Sequence, residues 1–220
     1  MTSASTPAVL YTRAPAEAVT TWARRGAVAV QIATVQGWSI VHPVAGRAAA
    51  PYDDPVRGLL ARPVPSRMRP AFFLGELDGR GVVALQSGGL RRRTRYAAWS
   101  PSTGRTPLPG LTPLTAAQLA QAAGVAAADL AVALEPPGRP GQARVLDWLL
   151  AVRDALNLPV TTLTAAKGED LEVIEPTPAS VRRFNALAAE DRPDQHRPDD
   201  VRPAVDQPEG HRPDQPSENA

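Results

Sequence analysis

The stretch Phe72-Phe73-Leu74-Gly75-Glu76-Leu77-Asp78-Gly79-Arg80-Gly81-Val82-Val83-Ala84-Leu85-Gln86 decides the reading of this chain. Two apolar runs flank an Asp-Gly pair, and that pair readily takes the positive φ angles of a tight hairpin loop. After Gly88-Gly89 a third run follows, from about Arg93 to Trp99. The three predict an antiparallel meander.

Upstream, Val9 to Tyr11 can start a strand, and Pro15 with Glu17 opens a helix that carries Val19 and Trp22 and ends at Gly26. The alternation Val28, Val30, Ile32 reads as a half-buried strand over Val28 to Val35. Gln36-Gly37 turns it into a partner, Trp38 to His42, closed by Pro43. Residues 44–70 are rich in Gly, Ala, Arg and Pro and read as a long surface excursion. Within it, Asp53-Asp54 introduces one short helix, Pro55 to Ala61.

Downstream of a loop at 101–113 come three helix candidates, Thr115 to Ala123, Ala126 to Leu134 and Gln142 to Leu156. In the third, Val145, Trp148, Leu149, Val152 and Leu156 share one stripe, which leaves Arg144, Asp147, Arg153 and Asp154 mostly to solvent. Pro159 ends it, Val160 to Thr164 and Leu171 to Ile174 read as short strands, and Thr177-Pro178 caps a last helix bearing Val181, Phe184 and Leu187. The expected class is α+β: a small antiparallel sheet with helices packed on one side, in a single body over 1–189. Its parts are a sheet-rich 8–100, a helical 114–157, and a final 158–189 of short strands and a helix.

From 190 to 220 the character changes. Pro193, Pro198, Pro203, Pro208 and Pro213 recur every fifth residue, four of them behind an arginine. Each ring removes a backbone donor and disfavours helix at the residue before it. With no aromatic in it, the segment predicts a disordered, Pro-rich tail.

The net charge of +2 hides an asymmetry: Met1 to Gly168 carries 18 basic against 9 acidic residues, whereas Glu169 to Ala220 carries 6 against 13. A basic body therefore bears an acidic end. Only Lys167 is lysine among the 24 basic residues, which, with abundant Ala, Pro and Gly, reads as the mark of a GC-rich, bacterial genome. Cysteine is absent, which excludes disulfides, thiolate nucleophiles and Cys-ligated metals. The N-terminal Met1-Thr2-Ser3-Ala4-Ser5-Thr6-Pro7 lacks a basic-then-apolar leader, and no apolar run has membrane-spanning length; a cytoplasmic protein without a membrane partner is expected.

The densest cationic cluster is Arg91-Arg92-Arg93-Thr94-Arg95-Tyr96. In a strand beginning near Arg91, alternation places Arg91, Arg93, Arg95 and Trp99 on one face. A row of guanidinium groups beside an indole suits phosphate binding with base stacking, and Tyr96 is a second candidate ring. The competing account is an edge strand whose charges discourage strand-to-strand pairing.

Other candidate sites carry less. Leu119-Ala120-Gln121-Ala122-Ala123-Gly124-Val125, followed by Leu130, has the spacing of a helix-turn-helix. Its second helix, Ala126 to Leu134, offers no Arg, Lys, Gln, Asn or Ser to a base edge, so it reads as a structural corner. His42 is the only histidine before the tail, and with Asp53 and Asp54 it makes too few ligands for a metal. Ser39 or Ser87 with His42 lacks a nucleophile-elbow pattern. Gly79-Arg80-Gly81 is a turn, not a phosphate cradle. The expectation is thus a non-enzymatic binding or regulatory module with no catalytic residues, metal or cofactor, whose partner is another protein. The alternative is a nucleic-acid or other anionic-ligand binder using Arg91, Arg92, Arg93 and Arg95 with Tyr96 or Trp99.

Overall fold

The computed structural model describes residues 7–88, 93–135, 144–160 and 171–190. Strands β1 (Ala8–Thr12), β2 (Val28–Val35), β3 (Trp38–Gly46), β4 (Ala71–Leu77), β5 (Arg80–Gln86), β6 (Thr94–Ser100), β7 (Gly104–Thr106) and β8 (Val173–Ile174) form one antiparallel sheet in the order β7-β6-β5-β4-β1-β3-β2-β8. The helices are α1 (Ala16–Arg24), α2 (Pro55–Ala61), α3 (Ala116–Ala123), α4 (Ala127–Leu134), α5 (Val145–Ala155) and α6 (Pro178–Glu190). The α+β class and the antiparallel meander β4-β5-β6 are as the sequence predicts.

Both hairpins turn where expected. Asp78 and Gly79 have φ of 50° and 71°, which brings Leu77 opposite Arg80. Gln36 and Gly37 do the same for Val35 and Trp38, with φ of 50° and 77°. Two consecutive positive φ angles match the right-handed twist of the paired strands. Strand β1, wholly buried, joins the two hairpins by pairing with β3 on one side and β4 on the other.

The sheet is wider than a small meander, and helices lie against both of its faces. Strand alternation explains this: Val9, Tyr11, Phe72, Leu74, Val83 and Leu85 join a core with α3, α4 and α5. Their neighbours Ala8, Leu10, Ala71, Phe73 and Ala84 join a second core with Val19 and Trp22 of α1 and with Val56 and Leu59 of α2. A sheet apolar on both sides must be covered on both. Residues 44–70 supply part of the second cover, burying Val56, Leu59, Val64 and Met68, so the expected surface excursion is a packed segment. A short 3-10 helix at Ser66–Met68 seats Met68.

Pro43 does not end β3. The strand continues to Gly46 through a register shift, with Val30 opposite Pro43 and Ala29 opposite Ala45. A bulge at this point accommodates the residue that cannot donate. The loop after β6 also contains β7, which pairs Thr106 with Ala98.

The stripe on α5 packs as expected, burying Val145, Trp148, Leu149 and Val152. Trp148 stacks on Trp99, with centroids 5.9 Å apart and planes at 15°. Gly81 is glycine because a Cβ there would run into the Trp148 ring. Arg153, expected in solvent, is buried, and its guanidinium donates to Asp154 at 2.7 Å and 2.9 Å. The turn at its end returns Leu156 and Leu158 to the core.

On the last helix only Ala188 is buried, while Phe184 leans on Tyr52 with centroids 5.2 Å apart. No helix of the described residues is long and apolar enough to cross a membrane. Arg91, Arg92, residues 161–164 of the proposed strand and the Pro-rich segment 191–220 lie outside the described residues.

Candidate functional site

Where β5 hands over to β6, Gln86 lies opposite Thr94 and Leu85 opposite Arg95. Two clefts open at this end of the sheet. Arg95, half-buried, lines one of about 470 Å³ with Pro70, Leu85, Ser87, Gly88 and, from α3, Gln118, Gln121 and Ala122. Its guanidinium donates to the carbonyl of Pro113 at 3.5 Å. Arg93, exposed, lines the other, of about 630 Å³, with Thr94, Arg69, Gln86 and residues Pro63 to Ser66.

The walls of the second cleft are held by polar side chains. Gln86, buried, accepts from Val64 N at 2.8 Å and donates from Nε2 to Arg62 O at 2.9 Å. One amide thus ties the strand to the irregular chain at 62–64, whose backbone groups would otherwise lack partners. Arg69 donates to Val64 O at 3.1 Å and 2.9 Å and to Ser87 O at 3.4 Å. Among the described residues it is fixed by these carbonyls, and no acid compensates its charge.

The next arginine inward works differently. Arg62 lies over the Trp22 ring, 4.1 Å from its centroid, and donates to the carbonyls of Trp22 and Ala23 at the end of α1. Cations favour that end of a helix dipole. Burial pushes its pKa down to about 10, which leaves it charged at neutral pH. Arg62 is a structural clamp, whereas Arg69, Arg93 and Arg95 border open space.

Among the described residues no carboxylate lines either cleft. The ion pairs lie elsewhere: Arg47 with Glu175, Arg57 with Asp54 and Asp78, Arg105 with Glu135, Arg144 with Asp147 and Arg153 with Asp154. The sheet end around β5 and β6 is therefore cationic without internal neutralisation by these residues.

The expected row of site residues is split by the fold. Arg93 and Arg95 border different clefts, so they do not line one groove. Tyr96 is half-buried against the second core and faces a third cleft, of about 370 Å³, with Arg105, Pro107, Leu108, Leu111 and Pro113. Trp99 shares the Arg95 side of β6 but is only 6% exposed, closed off by Trp148. It offers no open platform for stacking. Arg69, Gln118 and Gln121 escape a sequence reading because nothing local distinguishes them; the sheet register and the α3 packing place them beside Arg93 and Arg95.

The weaker candidates resolve into structural roles. Asp54 caps α2, accepting from Val56 N and Arg57 N, each at 2.9 Å. Ser39 donates to Ala14 O at 2.7 Å. His42 is 2% exposed, its Nδ1 has no partner among the described residues, and burial lowers its pKa against the opposing effect of an Ala8 backbone contact. Among the described residues no group of three or more His, Asp or Glu could hold a metal ion.

The α3-α4 corner is built by a capping box, in which Thr115 Oγ1 accepts from Gln118 N at 3.3 Å and Gln118 Oε1 from Thr115 N at 3.1 Å. Leu119, Ala120, Leu130, Ala133 and Leu134 are buried. The outward positions of α4 are Ala127, Ala128, Asp129, Ala131 and Val132, none of which presents a hydrogen-bond donor from its side chain at neutral pH.

Compared with family models, with curated proteins and with solved structures, the chain has no match in any of the three.

Proposed function

We propose that this is a non-enzymatic, cytoplasmic binding protein that holds a nucleic acid by its phosphates at the β5-β6 end of the sheet. The observation that carries the reading is the set Arg69, Arg93 and Arg95 bordering two clefts whose described linings contain no acid. A compact phosphate ligand would fill the cleft that Arg69 and Arg93 share and leave Arg95 unused. Charges spread over two adjoining clefts suit a polymer that touches both. Because Trp99 is enclosed, phosphate contacts rather than base stacking supply the affinity, and little sequence preference is expected.

Titration of labelled single- and double-stranded DNA and RNA, at low and physiological salt, tests this. Affinity should fall steeply with salt, and the pair Arg93→Glu and Arg95→Glu should weaken binding by about an order of magnitude or more at low salt. Failure of every nucleic acid to bind even at low ionic strength rejects the reading. The second reading, a protein partner, then takes its place. It draws on the cleft lined by Tyr96, Pro107, Leu108, Leu111 and Pro113, at whose rim Leu111 is 46% exposed.

A further inference from the structure

The two arginine clefts lie back to back across a single layer of backbone. Three pairs of consecutive residues straddle that layer: Arg69, Gln86 and Thr94 line the Arg93 cleft, and their chain neighbours Pro70, Ser87 and Arg95 line the other. Strand alternation is the cause. Gln86 and Thr94 are cross-strand partners on the face of Ala84 and Tyr96, whereas Leu85 and Arg95 are partners on the face of Val83 and Ala97. Each cleft has an outer wall of its own, the irregular chain from Pro63 to Ser66 for Arg93 and helix α3 with Gln118 and Gln121 for Arg95.

We propose that the nucleic acid held here is single-stranded, and that one strand crosses this ridge with phosphates bound on both sides of it. The inference rests on the binding function proposed above and names its substrate class.

The recessed position of the charges carries the argument. Arg69 and Arg95 are half-buried and tethered to carbonyls, Arg69 to Val64 O and Ser87 O, Arg95 to Pro113 O. A phosphate has to enter a walled cleft to meet either of them. A duplex is stiff over about 50 nm, so feeding it into clefts on the two sides of one backbone layer requires it to be sharply bent or opened. A single strand turns at each nucleotide and can follow a charged groove over the ridge.

Charge density works in the opposite direction, which makes the preference diagnostic. A merely cationic surface favours the duplex, whose phosphates release roughly 0.9 counterion per contact against about 0.7 for a single strand. A preference for the single strand therefore has to come from shape.

The test titrates the full-length protein at low salt with a labelled oligothymidylate and with the same strand annealed to its complement. An oligouridylate and its duplex form a parallel arm, because DNA and RNA share the phosphate chemistry; a preference for the single strand in either arm meets the proposal. That strand should bind by about 10-fold or more over its own duplex. Arg93→Gln and Arg95→Gln, on opposite sides of the ridge, should each weaken single-strand binding by roughly 3- to 10-fold and each lower the salt slope by about 0.7.

Other outcomes overturn the proposal in distinguishable ways. Equal or tighter binding of the duplex in both arms rejects the single strand and leaves the nucleic-acid reading standing. A single-strand preference in which only one of the two substitutions matters rejects the crossing, since the strand then stays in one cleft. Binding of no nucleic acid in either arm rejects the reading itself, and this inference with it.

Discussion

The two faces of the sheet are covered by different physics. On the α3-α4-α5 face the interface is apolar and aromatic: Trp38 meets Tyr11 and Phe72 edge-on, and Trp99 stacks on Trp148. Two polar atoms on that face, Tyr11 Oη and Trp148 Nε1, are buried without a partner among the described residues. On the α1-α2 face, side chains bond to irregular backbone. Thr12 Oγ1 donates to Met68 O at 2.6 Å, Trp22 Nε1 to Pro63 O at 3.1 Å, and Gln86 bridges Val64 N and Arg62 O. Regular helices satisfy their own backbone and need only apolar packing, whereas an irregular cover must be given hydrogen bonds by its neighbours. The candidate site lies where the irregular cover meets the sheet end, as binding loops on a fixed scaffold commonly do.

If the helical face depends on packing alone, its most damaging change is a large truncation. Trp148→Ala removes a ring that is 2% exposed, stacked on Trp99 and fitted against Gly81, and should cost about 3–5 kcal/mol. Urea unfolding measures it. A midpoint equal to wild type would show that the ring does not anchor α5, and the contrast between the faces would fail.

The other face should break through a polar residue of modest size. Gln86→Ala orphans Val64 N and Arg62 O together, and the expected loss is about 2–3 kcal/mol. The same variant should loosen the Pro63 to Ser66 wall beside Arg93, so nucleic-acid affinity should fall with stability. A loss under about 0.5 kcal/mol would place Gln86 among ordinary surface substitutions.

How much was legible in the sequence follows the same division. Both hairpins, α1, α2 and the α3-α4-α5 series could be read because periodicity and turn residues act locally. Residues 62–70 could not, since three prolines and three arginines carry no period, and Val64 and Met68 become core only once β4 and β5 supply a second apolar face. The candidate site was half legible. The arginine cluster stood out by composition, but strand alternation could not show that Trp99 would be enclosed by Trp148, a residue 49 positions later. Arg153 was misplaced for a related reason: the helical wheel puts it beside the stripe, and the fold buries it.

A single proton tests whether the burial on β3 is as tight as on β1. Burial holds His42 below its ordinary pKa of 6.5, so the folded protein keeps it neutral where the unfolded chain takes up a proton. The stabilisation is complete above about pH 6.5 and declines as the pH falls from there toward the lower folded value. Melting temperatures followed from pH 7.5 to 4.5 should show a component of acid destabilisation that is missing in His42→Gln. Equal slopes in the two proteins would mean that His42 is hydrated or already paired when charged.

The smallest expected effect bears most directly on the comparison. Tyr11 is wholly buried in the helical-face core, and its hydroxyl has no hydrogen-bond partner among the described residues. Burial pushes its pKa up to about 12, with Arg153 opposing and Asp154 reinforcing, so the phenol stays protonated across the neutral range. An orphaned hydroxyl contributes packing volume but no net hydrogen bond, and its desolvation opposes folding by about 1–3 kcal/mol. Tyr11→Phe removes that penalty and a few contacts together. Stability should therefore change by less than about 1 kcal/mol, with a gain as acceptable as a small loss. A loss of 2 kcal/mol or more would require a strong partner for the hydroxyl, and the helical face would then be stitched by polar groups as the other one is.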